Sequence, residues 1–341
     1  MEPTEEMLEE FLNIAILVLS FVVLYQGDYL TPTYPAVNER GLVLITGASS
    51  GIGKDAAHYL ASKGFHVLAG VRKQTQYDDL LYNSSSGNDA NVIPLLIDVT
   101  SSESISKALV SVENVSVTLG LPLVAVVNNA GIALMQQPLE TTDQSDIRRV
   151  FETNVFGAIE VTQRFLPSIR RSNGRIIMIS SLAGIVAGPM TSTYAASKHA
   201  LESYSDSLRR ELAPFNISVS VIEPGYIQSN IVTNANRDRG SENNNNSPLD
   251  AEESYRLYHD MQKAVAEGDR IGVENGDPAI VSSEAIFHAV TARKPQTRYL
   301  VGKLHKTMYF FTMVLSDRYL DWLLTSGLLK YFDFCIFSSH C

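Results

Sequence analysis

A tyrosine and a lysine stand four residues apart in the segment Tyr194–Lys198 (YAASK). On a helix this spacing places both side chains on one face. A tyrosine hydroxyl has an ordinary pKa of about 10, which is too high for a base near neutral pH. A neighbouring cation favours the phenolate, so the pair could exchange a proton with a substrate oxygen. The segment therefore predicts an acid–base centre.

The spacing alone is not specific, because the pairs Tyr59/Lys63 and Tyr299/Lys303 share it. The first of these lies in a helix that must pack on a sheet, and the second lies in a strand-like segment. Only Tyr194 follows a hydrophobic run that ends in Ser180-Ser181. That position is the carboxyl edge of the predicted sheet, where doubly wound folds hold their ligands. The edge position therefore favours the Tyr194 pair.

A glycine-rich turn, TGASSGIG (46–53), separates the first hydrophobic run from the first helical segment. Its glycines permit a tight turn and close backbone approach, and the free N–H groups at the helix start suit a pyrophosphate. The spacing is Gly-x-x-x-Gly-x-Gly, which differs from the common Gly-x-Gly-x-x-Gly. At a strand–helix junction it predicts a dinucleotide site that includes Gly47, Ser49, Ser50, Gly51, Ile52 and Gly53.

The choice between NAD and NADP should depend on the residues that follow the second hydrophobic run. An NAD site places an acid there to bind the ribose 2′-hydroxyl. Here Val71 and Arg72 occupy that region, and the first acid is Asp78. An arginine can pair with a 2′-phosphate, whereas a carboxylate would repel it. The sequence favours NADP over NAD; a solvated Arg72 at a strand end is the alternative.

These motifs must be positioned by strands that alternate with helices from Gly41 onward. Segments of helical composition lie at 53–64, 102–119, 143–166 and 193–213. This alternation predicts an α/β fold, a Rossmann-type doubly wound parallel sheet with helices on both faces. Six near-continuous hydrophobic runs predict strands buried on both faces: LVLIT (42–46), FHVLAGV (65–71), VIPLLID (92–98), VAVVNN (124–129), RIIMIS (175–180) and ISVSVIE (217–223).

A polar stretch, RDRGSENNNNSP (237–248), interrupts the pattern after the sixth run. We expect residues 230–270 to form a mobile lid over the substrate, with a helix at 254–268 whose apolar face covers the site. Permanent packing of that helix on the core is the alternative.

Both ends of the chain carry apolar segments. Residues 11–25 are apolar apart from Asn13 and Ser20. As a helix they extend about 22 Å, short of the roughly 30 Å hydrocarbon core of a bilayer. The pattern favours a membrane anchor, spanning or interfacial, and a helix packed on the domain is the alternative. At the other end, TMYFFTMVL (307–315) follows a basic stretch and predicts either membrane-surface contact or a helix over the body's own apolar edge.

Composition excludes several classes of protein. The 341-residue chain is 45% hydrophobic and carries a net charge of −10, which argues against disorder and against nucleic-acid binding. Both cysteines, Cys335 and Cys341, lie near the C-terminus, so the chain has no disulfide framework or zinc-ligand spacing. The histidines form no metal-binding motif, and we expect no metal site.

Several motifs occur together in one order along the chain, and they resemble the short-chain dehydrogenase/reductase family. The resemblance covers about residues 41–302. The segments AGVRK (69–73) and TRYLVGK (297–303) resemble more particularly its branch of retinol and hydroxysteroid dehydrogenases. The motifs that carry the resemblance are TGASSGIG (46–53), Asp98-Val99, NNAG (128–131), Asn154, Ser181, YAASK (194–198) and Pro224-Gly225.

The resemblance implies a role for each matching residue. Ser181 would hold the substrate oxygen, and Tyr194 would be the general acid/base. Lys198 would bind the nicotinamide ribose, and Asn154 would hold a water that links Lys198 to solvent. Asp98, with Val99 beside it, would bind the adenine. The other implied cofactor contacts are Asn128, Ala130, Gly131, Pro224, Gly225 and Ile227. His199 points away from the Tyr194–Lys198 face and is expected to be structural.

The resemblance and the apolar segments together predict a membrane-associated oxidoreductase that uses NADP, with NAD the less favoured cofactor. It would interconvert an alcohol and its carbonyl on a small lipophilic substrate such as a retinoid or steroid. The expected divisions are an anchor and linker at 1–40, a dehydrogenase domain at 41–302 and a helical extension at 303–341. We expect the protein at the endoplasmic reticulum with its catalytic domain facing the cytosol. The sequence leaves open whether it forms a homodimer. A non-catalytic, cofactor-binding membrane scaffold of the same fold is the alternative.

Overall fold

The hydrophobic runs pair into one parallel sheet. The computed structural model describes residues 32–84, 91–134, 137–228 and 251–325. All neighbouring strands are parallel, in the order β3-β2-β1-β4-β5-β6-β7. The predicted Rossmann-type sheet is thereby confirmed. Its strands are β1 Leu42–Thr46, β2 His66–Val71, β3 Val92–Leu96, β4 Leu123–Asn128, β5 Arg175–Ile179, β6 Ser218–Pro224 and β7 Arg298–Val301.

Helices cover both faces of the sheet. They are α1 Gly51–Ser62, α2 Gln74–Ser84, α3 Ser102–Leu119, α4 Gln144–Phe151, α5 Ala158–Ser172, α6 Ser192–Leu212, α7 Ala251–Glu274, α8 Ile280–Thr291, α9 Lys303–Val314 and α10 Asp317–Thr325. One apolar core joins the sheet to α1 and α8 through residues such as Leu60 and Ile286. The other joins the opposite face to α3, α5 and α6 through residues such as Ile105, Phe165 and Leu201. Burying each such side chain contributes roughly 1.5–3 kcal/mol, so the sheet is a stable frame for the loops at its edge.

The helix ends have the local chemistry that the sequence predicts. Helix α3 spans the expected residues 102–119, and the Ser104 amide donates to the capping hydroxyl of Ser101 at 3.3 Å. After α1, Gly64 has a φ of +101°, a left-handed conformation that costs glycine little. The prediction of Gly64 as the residue that closes α1 is confirmed.

The segment of helical composition at 143–166 is helical, but it does not form one regular helix. Helices α4 and α5 are joined by a π-helical turn, Glu152–Gly157. Such turns insert an extra residue into a helix and recur at functional sites. The composition predicts helix here but cannot show this turn, because hydrophobic periodicity does not register a single inserted residue. Asn154 lies in this turn with its side chain buried.

The strand order reverses between β1 and β4, and this reversal positions the site. From β1 the chain moves outward through β2 and β3, and it then returns to pair β4 with the other side of β1. The loops after β1 and β4 therefore diverge and open a crevice at the carboxyl ends of the strands. The glycine-rich turn follows β1, and Asn129–Gly131 follow β4.

No helix in the described part of the chain is both long enough and apolar enough to cross a bilayer. The predicted anchor at 11–25 and the polar stretch at 237–248 lie outside the described residues. The segment TMYFFTMVL lies mostly in α9, where Met308 is buried and Phe310, Met313 and Val314 are exposed. This helix covers the body with one side and presents an apolar outer face. Contact of that face with a membrane surface stays a prediction.

Candidate active site

A cavity of about 1120 Å³ opens at the carboxyl ends of the strands. Its walls come from the loops after β1 to β6 together with parts of α7 and α9. Of the predicted site residues, Gly53, Asn128 and Asn154 do not line this cavity, and all the others do: Gly47, Ser49, Ser50, Gly51, Ile52, Arg72, Asp98, Val99, Ala130, Gly131, Ser181, Tyr194, Lys198, Pro224, Gly225 and Ile227.

The glycine-rich turn brings bare backbone to the cavity wall. Gly47 has a φ of +68° and Gly51 a φ of +56°, conformations that favour glycine. A Cβ on Gly47 would lie 2.8 Å from Ala130 Cα, so the turn after β1 packs directly on the loop after β4. Gly51 begins α1, and the N–H groups of this first turn suit an anionic pyrophosphate.

Gly53 has a packing role instead of the predicted cofactor contact. It is buried in the first turn of α1, where a Cβ would lie 2.5 Å from the Gly47 carbonyl oxygen and would strike the Asn129 amide. The missing side chain lets the helix approach the turn and the β4 loop at once. The sequence pattern identified this glycine correctly but not the side toward which it faces.

Gly53→Ala should therefore disturb the turn without changing any polar group. We expect destabilisation of about 1–3 kcal/mol from overpacking and weaker NADPH binding, because the Gly47 carbonyl must move. Gly268→Ala on α7 is the control for the melting temperature, since a Cβ there meets nothing within 4 Å. Melting temperature and NADPH titration measure both effects. Unchanged values for Gly53→Ala would show that the turn tolerates a side chain there.

Asn129, which was not among the predicted site residues, holds the turn to the β4 loop. The Asn129 side chain donates to the Thr46 carbonyl at 2.9 Å and the Gly47 carbonyl at 3.0 Å. The Thr46 hydroxyl in turn accepts from the Asn129 and Ala130 amides at 3.1 and 3.0 Å. Asn128 points into the core and donates to Thr162 at 3.0 Å, because successive side chains alternate across a strand. The sequence signal that could have identified Asn129 was its position directly after Asn128 in NNAG (128–131).

Two cations stand at the end of β2, where the cofactor choice was expected to be made. Arg72 and Lys73 are exposed and line the cavity together with Gln76. The first acid that follows, Asp78, accepts from Gln74 on α2 at 2.8 Å and does not line the cavity. Lys73 was missing from the predicted site, although it directly follows Arg72. The local field at this end of the cavity therefore favours an anion.

The carboxylate of Asp98 is fixed at the cavity wall. Its Oδ1 atom accepts from the Thr100 amide at 3.0 Å and the Thr100 hydroxyl at 2.7 Å. The Asp98 amide donates to Ser104 at 2.8 Å. These bonds hold the acceptor in one orientation next to Val99, as a hydrogen-bond partner for an amine would require.

Ser181, Tyr194 and Lys198 meet at the inner end of the cavity. Tyr194 is 7% exposed and Lys198 is 4% exposed. Burial raises the pKa of the Tyr194 hydroxyl, and its hydrogen bond with Ser181 opposes that rise. The Lys198 ammonium donates to the Ile179 carbonyl at 2.8 Å and lies 5.7 Å from the centroid of the Tyr194 ring. Burial lowers the pKa of Lys198 to about 8, and the Glu202 charge opposes that change.

Asn154 lies behind the cavity wall and braces the chain after β4. Its Oδ1 accepts from the Ile132 amide at 2.8 Å, and its Nδ2 donates to the Ile132 carbonyl at 2.9 Å and to Ser197 at 3.0 Å. A Cβ on Gly131 would lie 3.4 Å from Asn154 Oδ1 and 3.7 Å from Lys198 Nζ. Asn154 therefore couples the β4 loop to α6. Its predicted contact with a water molecule stays a prediction.

The chain after β6 closes the cavity beside the Tyr194 group. The Gly225 amide donates to the Val301 carbonyl at 2.8 Å, and Ile227 forms a parallel bridge with Asp277. These bonds hold Pro224, Gly225 and Ile227 at the wall, and their predicted contact with a nicotinamide stays a prediction. Ser229, a further hydroxyl of this motif, lies outside the described residues.

The remaining wall is mainly apolar. Val186, Pro189 and Thr191 come from the uncharged segment before Tyr194. Helix α7 lies over the cavity and contributes Met261, Ala264, Val265, Gly268, Asp269 and Val273. Its predicted apolar face is only partly correct, because Tyr255 and Leu257 are exposed. Asp269 is the one acid among the α7 residues at the cavity wall, and its carboxylate accepts from the Tyr226 hydroxyl at 3.2 Å.

The other candidate groups have structural partners. The His199 ring nitrogen Nδ1 lies 2.9 Å from the Ala195 carbonyl, consistent with the structural role expected for it. The Tyr299 hydroxyl contacts His288 at 2.7 Å and accepts from the Gln296 amide at 3.1 Å. Tyr59 packs on Phe287 at 5.9 Å between ring centroids. The described residues contain no cluster of three or more potential metal ligands.

Comparison with known proteins agrees with this geometry. Residues 41–240 match the family described as short chain dehydrogenase. The NADPH-dependent 3-dehydrocapnine reductase of Ornithobacterium rhinotracheale is 32% identical over 293 residues, which cover 84% of this chain and 97% of that protein. Retinol dehydrogenase 5 of Mus musculus is 33% identical over 299 residues, which cover 83% of this chain and 87% of that protein.

A solved structure shares the fold. The crystal structure of a short-chain dehydrogenase from Streptomyces avermitilis aligns with a TM-score of 0.63 and 25% identity, covering 85% of this chain and 97% of that chain.

Proposed function

This chain belongs to the short-chain dehydrogenase family of oxidoreductases, and from that premise we propose that it interconverts an alcohol and its carbonyl on a lipophilic substrate with NADP as cofactor. One observation carries the proposal. Ser181, Tyr194 and Lys198 meet at the apolar end of a cavity whose other end is lined by the glycine-rich turn, Arg72 and Asp98. The proton-transfer groups and the cofactor groups therefore share one space.

The cavity fits a dinucleotide of this class. The bare backbone at Gly47 and Gly51 admits a pyrophosphate close to the start of α1. In the proposed assignment Asp98 binds the adenine amine, Lys198 binds the nicotinamide ribose, and the chain at Pro224–Ile227 flanks the nicotinamide. A nicotinamide cofactor bound there supplies or accepts the hydride of the reaction.

The protein's own residues would move the proton. Ser181 orients the substrate oxygen, and Tyr194 donates a proton to it during carbonyl reduction or accepts one during alcohol oxidation. Lys198 is cationic below about pH 8, so its charge stabilises the phenolate of Tyr194 in this range. Asn154 holds Ile132 and Ser197 in register on either side of Lys198.

The preference for NADP rests on charge at the end of β2. Arg72 and Lys73 face the cavity, and Asp78 is held on α2 away from it. An arginine pairs with a phosphate through two parallel hydrogen bonds. The related 3-dehydrocapnine reductase is NADPH-dependent by name, which supports the same choice here.

The lipophilic substrate is supported by the walls and by the surface around the mouth. Val186, Met261, Val265 and Met308 line the substrate end. Helices α7, α9 and α10 each contribute to the cavity wall. They also carry apolar side chains that are at least 45% exposed, namely Tyr255, Leu257, Met261, Phe310, Met313, Val314, Tyr319 and Trp322. Exposed apolar groups of this number suit contact with a membrane surface. Membrane association, at the endoplasmic reticulum with the catalytic domain facing the cytosol, belongs to this proposal.

The same proposal includes the division of the chain. Residues 1–40 would be anchor and linker, 41–302 the catalytic domain and 303–341 an extension near the membrane. A homodimer is compatible with it.

A substrate panel of retinoids, steroids and long-chain ketones, each with NADPH and NADH, tests the function. Turnover of at least one class is expected; tight cofactor binding without any turnover would favour a non-catalytic scaffold.

Closure of α7 over the substrate is a further expectation. Met261, Val265 and Gly268 line the cavity while Tyr255 and Leu257 face solvent, so the helix makes few apolar contacts in the absence of ligands. Hydrogen exchange of residues 254–268 should slow when NADPH and substrate are added, because closure excludes water. Helix α3 is the internal control, since none of its residues lines the cavity. Equal exchange of 254–268 in both states would mean that the helix is packed permanently.

A further inference from the structure

A connected group of buried charged side chains extends from Lys198 away from the cavity. Glu202 lies one turn after Lys198 on α6 and is 7% exposed. Side chains four apart on a helix lie on the same face, and the Glu202 charge acts on Lys198. Both groups are buried. Charges in the protein interior interact strongly because water does not screen them.

Arg298 of β7 holds Glu202 in place from the opposite side. Its Nη2 atom lies 3.1 Å from Glu202 Oε2 and 3.0 Å from Asp206 Oδ1. Its Nε atom lies 3.1 Å from Glu223 Oε1 at the end of β6. His305 of α9 completes the group, with Nε2 3.2 Å from Glu223 Oε2 and both side chains fully buried. Arg298 thus links the Glu202 carboxylate to Glu223 of β6, and Glu223 in turn lies against His305 of α9.

Glu202 also touches the segment that carries Ser181. A Cβ on Gly184 would lie 2.6 Å from Ser180 Oγ and 3.1 Å from Glu202 Cγ. The absence of a side chain at Gly184 therefore lets the serine segment pack against the Glu202 side chain. The Ser180 hydroxyl faces the carboxyl group and favours its ionised form. Glu202 therefore lies between the helix that carries Lys198 and the segment that carries Ser181, and it does not line the cavity.

We propose that Glu202 is a positioning residue for the reaction: its buried carboxylate, held by Arg298, keeps Lys198 cationic beside Tyr194 and keeps the Ser180–Gly184 segment in register with α6. This inference rests on the proposed function for the meaning of a cationic Lys198. It adds a role for Glu202 and Glu223, which the matching motifs do not include, and for Arg298, which lies in the segment TRYLVGK (297–303) with no role assigned to it.

The titration of these groups supports the same arrangement. Burial and the Glu223 carboxylate raise the pKa of Glu202 to about 7, against the opposing effects of Ser180 and Arg298. Burial lowers the pKa of Lys198 to about 8, against the opposing effect of Glu202. Between these two values Glu202 is ionised while Lys198 is still protonated. Asp206, paired with Arg209 as well as Arg298, lies one turn farther from Lys198.

The variant Glu202→Gln tests the proposal because it removes the charge and keeps the shape. Without the anion the pKa of Lys198 should fall further, so the cation is lost at lower pH. The alkaline limb of the pH profile of kcat/KM should therefore move down by about one pH unit or more. Glu202→Asp should restore much of the original limb. Glu211→Gln is the matched control that should leave it in place, because it removes an exposed carboxylate of the same helix that accepts from Ser207.

A measurement on the unliganded protein separates charge from structure. Lysine labelled with ¹³C at Cε reports its own protonation by NMR, and Lys198→Met identifies the Lys198 signal. In the unmutated protein this signal should show two inflections, one for Lys198 and one for Glu202, because interacting groups titrate jointly. In Glu202→Gln it should show one inflection, at lower pH. This readout needs neither turnover nor cofactor.

The outcomes distinguish this inference from the proposed function. A single inflection in the unmutated protein, or an unchanged Lys198 titration in Glu202→Gln, would overturn the positioning role even if the enzyme is active. Absence of turnover with every substrate would count against the proposed function, while the NMR titration would still decide the role of Glu202. If Glu202→Gln fails to fold, the two inflections of the unmutated protein remain the test.

Discussion

Tyr194→Phe should reduce kcat by about a thousandfold or more, which is the loss expected when a positioned proton donor is removed. The phenyl ring still fills its buried position, so the fold should be retained. NADPH affinity should stay within a few-fold. In the proposed assignment the lost hydroxyl group serves the substrate oxygen and Ser181, and the turn after β1, Arg72 and Asp98 hold most of the cofactor. Stopped-flow single turnover and fluorescence titration measure the two quantities separately.

Tyr59→Phe is the matched control for this experiment. Tyr59 belongs to a second Tyr–Lys pair with the same spacing, its ring lies 5.0 Å from Lys63 Nζ, and it does not line the cavity. Its variant should keep full turnover. Activity retained by Tyr194→Phe would refute the assignment of Tyr194 as the general acid/base.

The double variant Val71→Asp with Arg72→Gln should reverse the cofactor preference. Arg72 faces the cavity and Val71 is the last residue of β2. The exchange removes one phosphate partner and adds a carboxylate that can accept from a ribose 2′-hydroxyl. Charge-assisted hydrogen bonds contribute about 1.5–3 kcal/mol each, so the ratio of kcat/KM for NADPH over NADH should fall by about 100-fold.

Lys107→Gln is the control for the loss of a positive charge. Lys107 pairs with Glu103 on the exposed face of α3, 2.6 Å away, and it does not line the cavity. Its removal should leave the cofactor ratio unchanged. A wild-type enzyme that already prefers NADH would contradict the inference drawn from Arg72 and from the displaced Asp78.

The local parts of this structure were predictable because their signals are local. Each strand of the sheet core is a continuous hydrophobic run, and the turn after β1 has glycines where positive φ values and close approach require them. The Tyr194 pair was separated from two others by its position after a strand. These features depend on residues within one or two elements, and the sequence shows them directly.

The features that were missed depend on orientation or on distant partners. Whether Asn128 or Asn129 faces the turn after β1 depends on where the alternation of side chains along β4 ends. The π-helical turn at Asn154 depends on one inserted residue. Arg298 and Glu202 are 96 positions apart, and no spacing pattern links them. Glycine spacing likewise identified Gly53 but could not show that it packs against Asn129 rather than facing the cofactor.

Deuterium transfer tests the central claim most directly. The enzyme is incubated with a carbonyl substrate and NADPH that carries deuterium at both C4 positions, and the alcohol product is analysed by mass spectrometry. The account predicts one deuterium on the carbinol carbon with the unmutated enzyme and almost no product with Tyr194→Phe. An alcohol without deuterium, or NADPH binding with no product from any substrate of the panel, would contradict it.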